Sequence, residues 1–185
     1  RWVAAIYRAP EGGRARDVEG AEALFTLAEV SVALAASTGI ILALTKDPAT
    51  WRPFDSVRVY LLLAASLGVT ILSLLPMGLQ LAGLGGPTVW RICSIALALY
   101  IVAFLAVALR RMLGLPPQDR VDFRPVFFVA FNGMNLLVVV AQALNALGIL
   151  LQGTVGPYFF GLLWLVTWSA ILFMLLIFLR PMPDG

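Results

Sequence analysis

One acidic side chain, Glu29, lies well inside an apolar run of the sequence, where an ionisable group is costly and is a candidate for function. Arg91 lies about one turn into another apolar run, and its long side chain reaches inward toward the same level. An acid and a base at that depth would hold an ion or pass a proton if they line a cavity. If they pair with each other, they only fix the packing of the helices.

Amide side chains follow these charged residues at similar levels of the other apolar runs. Asn135, Gln142, Asn145 and Gln152 fall within an arc of about 100° on one helix, because each helical residue turns the chain by about 100°. A stripe of amides does not face lipid. We therefore expect one polar layer inside the protein. Its predicted members are Glu29, Gln80, Arg91, Gln142, Asn145 and Tyr158.

Other features concern the shape and packing of the helices. Asn132 and Asn135 predict a second polar patch, formed with Ser66 or Thr70. Pro76 lacks a backbone N–H and should bend its helix, either as a hinge or as a fixed kink. Pairs of small residues spaced four apart predict close packing of the first two helices. They are Ala33/Ser37, Ala35/Gly39 and Ala64/Gly68.

The elements that carry these residues are long apolar segments. Of the 185 residues, 61% are hydrophobic and 12% are charged, whereas soluble domains are about 45–50% apolar and about 25% charged. The apolar runs reach the ~20 residues that a helix needs to cross a bilayer. The sequence therefore predicts an all-α fold, a polytopic transmembrane helical bundle with about five transmembrane helices. They cover residues 23–44, 57–84, 88–109, 125–151 and 158–179.

Residues 1–22 differ in composition from these apolar runs. A short aromatic stretch around Trp2 and Tyr7 is followed by glycines and mixed charges, which is typical of an interfacial amphipathic segment; a disordered tail is the alternative.

With five crossings, five Lys and Arg residues fall on the side of the N-terminus and eight on the other side. This excess predicts an outside N-terminus and a cytoplasmic C-terminus.

The composition also excludes several kinds of chemistry. With no histidine, this chain supplies no ligand for His-bound haem or zinc and no His-based acid–base catalysis. Cys93 is the single cysteine, so no intrachain disulfide forms. No P-loop, CxxC or GxSxG motif is present, and the basic residues gather at the ends of the apolar runs. We expect a protein that is not an enzyme and has no cofactor, metal site or nucleic-acid partner.

Four short stretches of the sequence carry a resemblance to a known group of proteins. They are Ser37-Thr38-Gly39-Ile40-Ile41 followed by Trp51, Asp55-Ser56-Val57-Arg58, Leu74-Leu75-Pro76 and Val89-Trp90-Arg91. Over residues 23–179, the chain resembles small bacterial multi-pass proteins of the inner membrane that have no assigned activity. The resemblance implies a bacterial inner-membrane location, and it brings no cofactor or site residue with it.

Two functions are compatible with these features. The leading hypothesis is a small oligomeric channel or transport subunit whose passage is the polar layer around Glu29 and Arg91. Five helices make a thin bundle, so the passage would be narrow or would lie between protomers. The alternative is a non-catalytic accessory or scaffold subunit of a larger membrane complex. The expected partners are membrane lipid and either further copies of the chain or that complex.

Overall fold

Five α-helices make up the part of the chain that the structure, a computed structural model, describes: residues 11–44, 53–116, 125–149 and 153–178. No β-strand occurs within these ranges. The predicted all-α architecture is confirmed. The helices are α1 (Glu11–Leu44), α2 (Pro53–Leu81), α3 (Pro87–Leu113), α4 (Pro125–Ala146) and α5 (Val155–Phe178).

In the described part of the chain, four helices are long and apolar enough to cross a membrane. The fifth helix, α4, has 22 residues, and its described side chains, Ala130–Ala146, are also apolar. The chain is therefore a multi-pass membrane protein, and its described residues form five helices, as the sequence predicted. The four spans are Gly20–Leu44, Asp55–Leu81, Pro87–Leu113 and Val155–Phe178.

Proline and glycine residues set several helix ends a few residues away from the predicted positions. α2 and α3 begin at Pro53 and Pro87, because a proline in the first turn loses no intrahelical hydrogen bond. α2 and α4 end just before Gly83 and Gly148, whose φ angles are 87° and 74°. The N–H of each glycine bonds back to the last turn, which caps the helix. α4 therefore ends at Ala146 instead of residue 151.

The predicted interfacial segment, residues 1–22, divides at Glu11. Residues 1–10 lie outside the described residues. Residues 11–22 run without a break into α1, which has 34 residues and is about 51 Å long at ~1.5 Å per residue. Since its apolar span starts only at Gly20, the first turns of α1 extend beyond the hydrocarbon core.

α5 is the central helix of the bundle and packs against each of the other four. On one side, α1 packs against α2 and α5; on the other side, α4 packs against α3 and α5. α1 and α2 share the most extensive contact, as predicted, but Ala33 and Gly39 of the predicted small-residue pairs are exposed. α1 and α4 therefore form the two edges of the bundle.

Apolar side chains fill the interior and also cover the outside of the bundle. One interior cluster, around Leu97 and Leu162, lies toward the end where α3 and α5 begin. A second, around Phe104 and Leu172, lies toward the opposite end. Large apolar side chains on the outer surface would be unfavourable in water, so this surface matches the hydrocarbon of a bilayer. Among them, Ile71, Leu99, Leu137 and Phe160 are between 65% and 68% exposed.

Candidate functional site

A buried polar cluster lies where α4 leads into α5, with Asn145 at its centre. Asn145 is completely buried. Its Nδ2 donates hydrogen bonds to Ser94 Oγ on α3 at 2.8 Å and to the Thr154 carbonyl at 3.2 Å. The backbone N–H of Thr154 donates to Asn145 Oδ1 at 3.3 Å. One amide side chain thus connects α3, α4 and the residue that precedes α5, and both of its polar atoms are bonded.

Gln142, three residues earlier on α4, extends this cluster toward α5. It is completely buried, and its Nε2 donates to the Pro157 carbonyl at 2.6 Å. Gly161 leaves the room it needs, because a Cβ there would lie 2.8 Å from Gln142 Nε2 and 2.7 Å from Leu97 Cδ2. Gln142 Oε1 has no hydrogen-bond partner among the described residues. The cluster is therefore closely packed and almost fully satisfied.

Tyr158, near the start of α5, compensates for a proline in α2. In an α-helix the carbonyl of residue 72 accepts the N–H of residue 76, and Pro76 has no N–H to donate. The Tyr158 hydroxyl donates to the Leu72 carbonyl at 2.5 Å instead. Tyr158 is completely buried, and the ring of Trp90 lies 6.2 Å from its ring between centroids. α2 continues through Pro76 to Leu81, and this bond connects it to α5 beside the proline.

The second predicted polar patch lies between α4 and α5. Asn135 is completely buried; its Nδ2 donates to a carbonyl of its own helix at 2.9 Å, and its Oδ1 accepts the Trp164 Nε1–H at 3.2 Å. Asn132 is half-buried. The structure does not bring these residues to Ser66 or Thr70, which lie on α2, because α4 packs against α3 and α5.

Three residues of the predicted polar layer, Glu29, Gln80 and Arg91, are exposed and do not join the buried cluster. Glu29 lies on α1, whose neighbours are α2 and α5, whereas Arg91 lies on α3 beside α4. In the described part of the chain an ion pair forms between Asp55 and Arg58 at 3.2 Å, but none joins Glu29 to Arg91. Similar depth in the membrane does not bring two side chains together when their helices are apart.

Arg91 lies over the connection between α4 and α5. A Cβ added at Gly148 would lie only 2.7 Å from Arg91 Nη2, so the guanidinium covers this glycine. Because α4 ends there, the positive charge lies near the partial negative charge of a helix C-terminus. Such a contact at an exposed position stabilises by about 0.3–1 kcal/mol. Arg91 therefore has a structural contact that needs no acidic partner.

Glu29 lies on the outer face of α1, inside the span Gly20–Leu44. Nine residues separate it from the start of this span, which corresponds to about 13 Å along the helix. A charged side chain at the centre of a spanning helix costs about 2.5–3.5 kcal/mol. A carboxylate at Glu29 is therefore less costly when another molecule covers it or bonds to it.

The buried cluster can join helices, but it contains no group suited to acid–base chemistry. Its side chains are amides, hydroxyls and a phenol, and none of these titrates near neutral pH in water. No group of three or more potential metal ligands occurs among the described residues. The arrangement therefore separates two kinds of polar residue: the amides of α4 face inward and bond within the bundle, whereas Glu29 faces outward.

Three contact residues of these clusters, Ser94, Thr154 and Trp164, did not emerge from the sequence analysis. Two signals could have indicated part of this network. Pro76 implies an unsatisfied carbonyl four residues earlier, which needs a donor from a neighbouring helix. Asn145 lies just before a glycine-rich connection, where an amide side chain can bond free backbone groups. The predicted amide Gln152 lies outside the described residues.

Comparison with known proteins identifies no relative of this chain. The chain matches no protein-family model, and neither the curated proteins nor the solved structures contain a significant match to it. The resemblance to small bacterial inner-membrane proteins therefore stays a prediction. The residues of the chain themselves indicate an integral membrane protein built from apolar α-helices around a buried polar cluster.

Proposed function

We propose that this chain is a non-catalytic accessory subunit of a larger membrane complex. The observation that supports the proposal is the outward position of Glu29 in a spanning helix. The buried amides of α4 already have partners within the bundle, so they stabilise the fold. An acid that faces outward at this depth is favourable only when another molecule covers it. The functional surface is then the outside of the bundle.

A channel or transport role, which the sequence favoured, depends on a different arrangement. It requires Glu29 and Arg91 to face one passage, and in one copy of the chain they lie on helices that are not close neighbours. A passage of this kind would have to form between protomers of an oligomer. Flux through reconstituted vesicles distinguishes this role from the accessory role.

Size and stoichiometry test the accessory role. We expect the tagged protein, purified from its native membranes in a mild detergent, to elute in a particle that contains a second protein at a constant ratio through every purification step. The chain alone, reconstituted in vesicles, should give no proton or ion flux, and the Glu29→Gln variant should give no flux either. A flux that Glu29→Gln abolishes would establish the channel instead. A particle that contains only this chain would contradict the accessory role.

A further inference from the structure

The outer face of α1 carries a continuous stripe of exposed residues, which we call the α1 stripe. Its members fall within an arc of about 80° on the helix, at a turn of about 100° per residue. All of them are exposed, and they include Glu29 together with three alanines toward the middle and far end of the span. The α1 stripe consists of Glu22, Glu29, Ala33, Ala36, Ile40 and Ala43.

The α1 stripe has the form of a surface for another helix. The alanines let a second backbone approach closely, and at the adjacent Gly39 a Cβ would meet nothing within 4 Å. α1 is also the least buried of the four spanning helices. Of the residues in its most apolar stretch, 22% are buried in the bundle, compared with 56% in α2. The rest of α1 is free to contact another molecule.

We propose that the α1 stripe binds a transmembrane helix of a partner protein that carries an arginine or lysine at the level of Glu29. The inference rests on the proposed accessory function and names the chemistry of its partner. Charge complementarity supports this occupant, because a basic side chain is the group that best satisfies a carboxylate within a membrane. The alanines that follow Glu29 along the stripe bring the two helices close enough for that contact.

A second copy of the chain fits the α1 stripe less well. Two α1 stripes packed together would bring Glu29 close to Glu29, and like charges repel. Among the basic residues inside the other spans, Arg91 lies toward the same end of the bundle as Glu29, but it lies four residues from the start of its span, whereas Glu29 lies nine residues from the start of its own. The difference of five residues is about 7 Å along the helix axis, and Arg91 already covers Gly148. A partner of different sequence is therefore favoured.

Model peptides test the chemistry of the partner directly. The probe is a single-span leucine–alanine helix with one arginine at the level of Glu29, compared with the same helix that has leucine at this position. Energy transfer in lipid vesicles reports association, with the donor dye on a cysteine introduced at Gly85 in the turn between α2 and α3. The native Cys93 is buried and does not compete for the dye.

We expect the arginine peptide to associate about fivefold to thirtyfold more tightly than the leucine peptide, as expected for one polar contact between helices in a membrane. Glu29→Gln should reduce this difference to less than about twofold. Glu22→Gln is the matched control, because it removes an acid from the same stripe two turns closer to the membrane surface, and it should leave the preference intact. Ala36→Phe should weaken binding of both peptides, whereas Leu99→Phe on the outer face of α3 should not.

Two results would overturn the inference: equal association of the two peptides, or a preference for arginine that survives Glu29→Gln. A photo-crosslinking residue at position 36 in native membranes separates these failures from a failure of the accessory role. A constant partner that cross-links from position 99 or 137 but not from position 36 would keep the accessory role and reject the α1 stripe. A cross-link from position 36 to a second copy of this chain would reject the partner of different sequence.

Discussion

Several buried polar side chains of this bundle bond to individual backbone groups. Pro76 leaves the Leu72 carbonyl without its helical N–H, and the Tyr158 hydroxyl replaces that donor from another helix. Asn145 similarly bonds both the N–H and the C=O of Thr154 just before α5 begins. At the scale of single residues, polar groups therefore supply hydrogen bonds that the helices cannot make for themselves.

Tyr158→Phe removes the donor to Leu72 and keeps the aromatic ring. We expect the free energy of unfolding to fall by about 0.6–1.7 kcal/mol, the range of hydrogen bonds between membrane helices. SDS-induced unfolding in mixed micelles measures this change. In a Pro76→Ala background residue 76 regains its N–H, so the same substitution should cost less. Equal costs in the two backgrounds would show that the hydroxyl does not compensate for the proline.

Asn145→Leu removes the hydrogen bond to the completely buried hydroxyl of Ser94 and the partly buried bond from the N–H of Thr154. Each buried group left unbonded costs about 1–3 kcal/mol, so we expect a loss of stability in this range or above it. Thermal unfolding in detergent provides the measurement. Gln80→Leu is the control, because Gln80 is exposed and its replacement should change stability by less than about 0.5 kcal/mol. A similar effect of both substitutions would argue against the cluster.

At the scale of elements, one aromatic side chain, Tyr100 of α3, lies in the contact between α2 and α3. The Tyr100 hydroxyl donates to the Ala64 carbonyl at 2.5 Å, and its ring lies directly over Gly68, where a Cβ would overlap it. The sequence assigned the Ala64/Gly68 pair to the contact with α1. Its small residues instead make room for a tyrosine of α3, since each face of α2 packs against a different neighbour.

Gly68→Ala should therefore destabilise the contact between α2 and α3. Overpacking of this kind costs about 1–3 kcal/mol, and SDS titration would show it as an earlier unfolding midpoint. The same change at Gly39 is the matched control, because a Cβ there meets nothing within 4 Å. Gly39→Ala should be neutral or stabilise by up to about 1 kcal/mol. The cost of Gly68→Ala should also fall in a Tyr100→Leu background, and an unchanged cost would exclude the clash with the ring.

The helices themselves could be predicted because apolar length is a property of the sequence alone. The inward stripe of Asn135, Gln142 and Asn145 on α4 followed from their angular spacing, and all three are completely buried. The rotation of α1 could not be predicted in the same way. Its span is apolar around most of its circumference, so a single acid at position 29 does not indicate whether it faces the bundle or the lipid. The position of Glu29 along α1 could therefore be read from the sequence, but the face of α1 on which it lies could not, and the predicted pairing with Arg91 does not form.

At the scale of the whole molecule, the distribution of Lys and Arg gives a testable orientation. Arg110 and Arg111 lie in the last turn of α3, and the Arg111 guanidinium lies 3.8 Å from the centre of the Tyr60 ring on α2. This concentration of positive charge favours a cytoplasmic location for that end of the bundle.

A cysteine introduced at Gly114, just after α3, should resist an impermeant thiol reagent in intact cells and react after the cells are opened. A cysteine at Gly85, in the turn at the opposite end of α3, should react in intact cells. Labelling detected by gel shift measures both positions. Ready labelling at position 114 in intact cells would reverse the proposed orientation.

The central position of α5 has a consequence for biosynthesis. α5 leaves the ribosome after the other four helices, yet it is the helix against which all of them pack. Before it inserts, the faces of α1, α2, α3 and α4 that pack against α5 lack this partner. Tyr158 and Pro157 belong to α5. The Leu72 carbonyl and the Gln142 side-chain amide therefore lack these hydrogen-bond partners until α5 inserts. These polar groups of the nascent chain therefore gain their partners only when the last described helix enters the membrane.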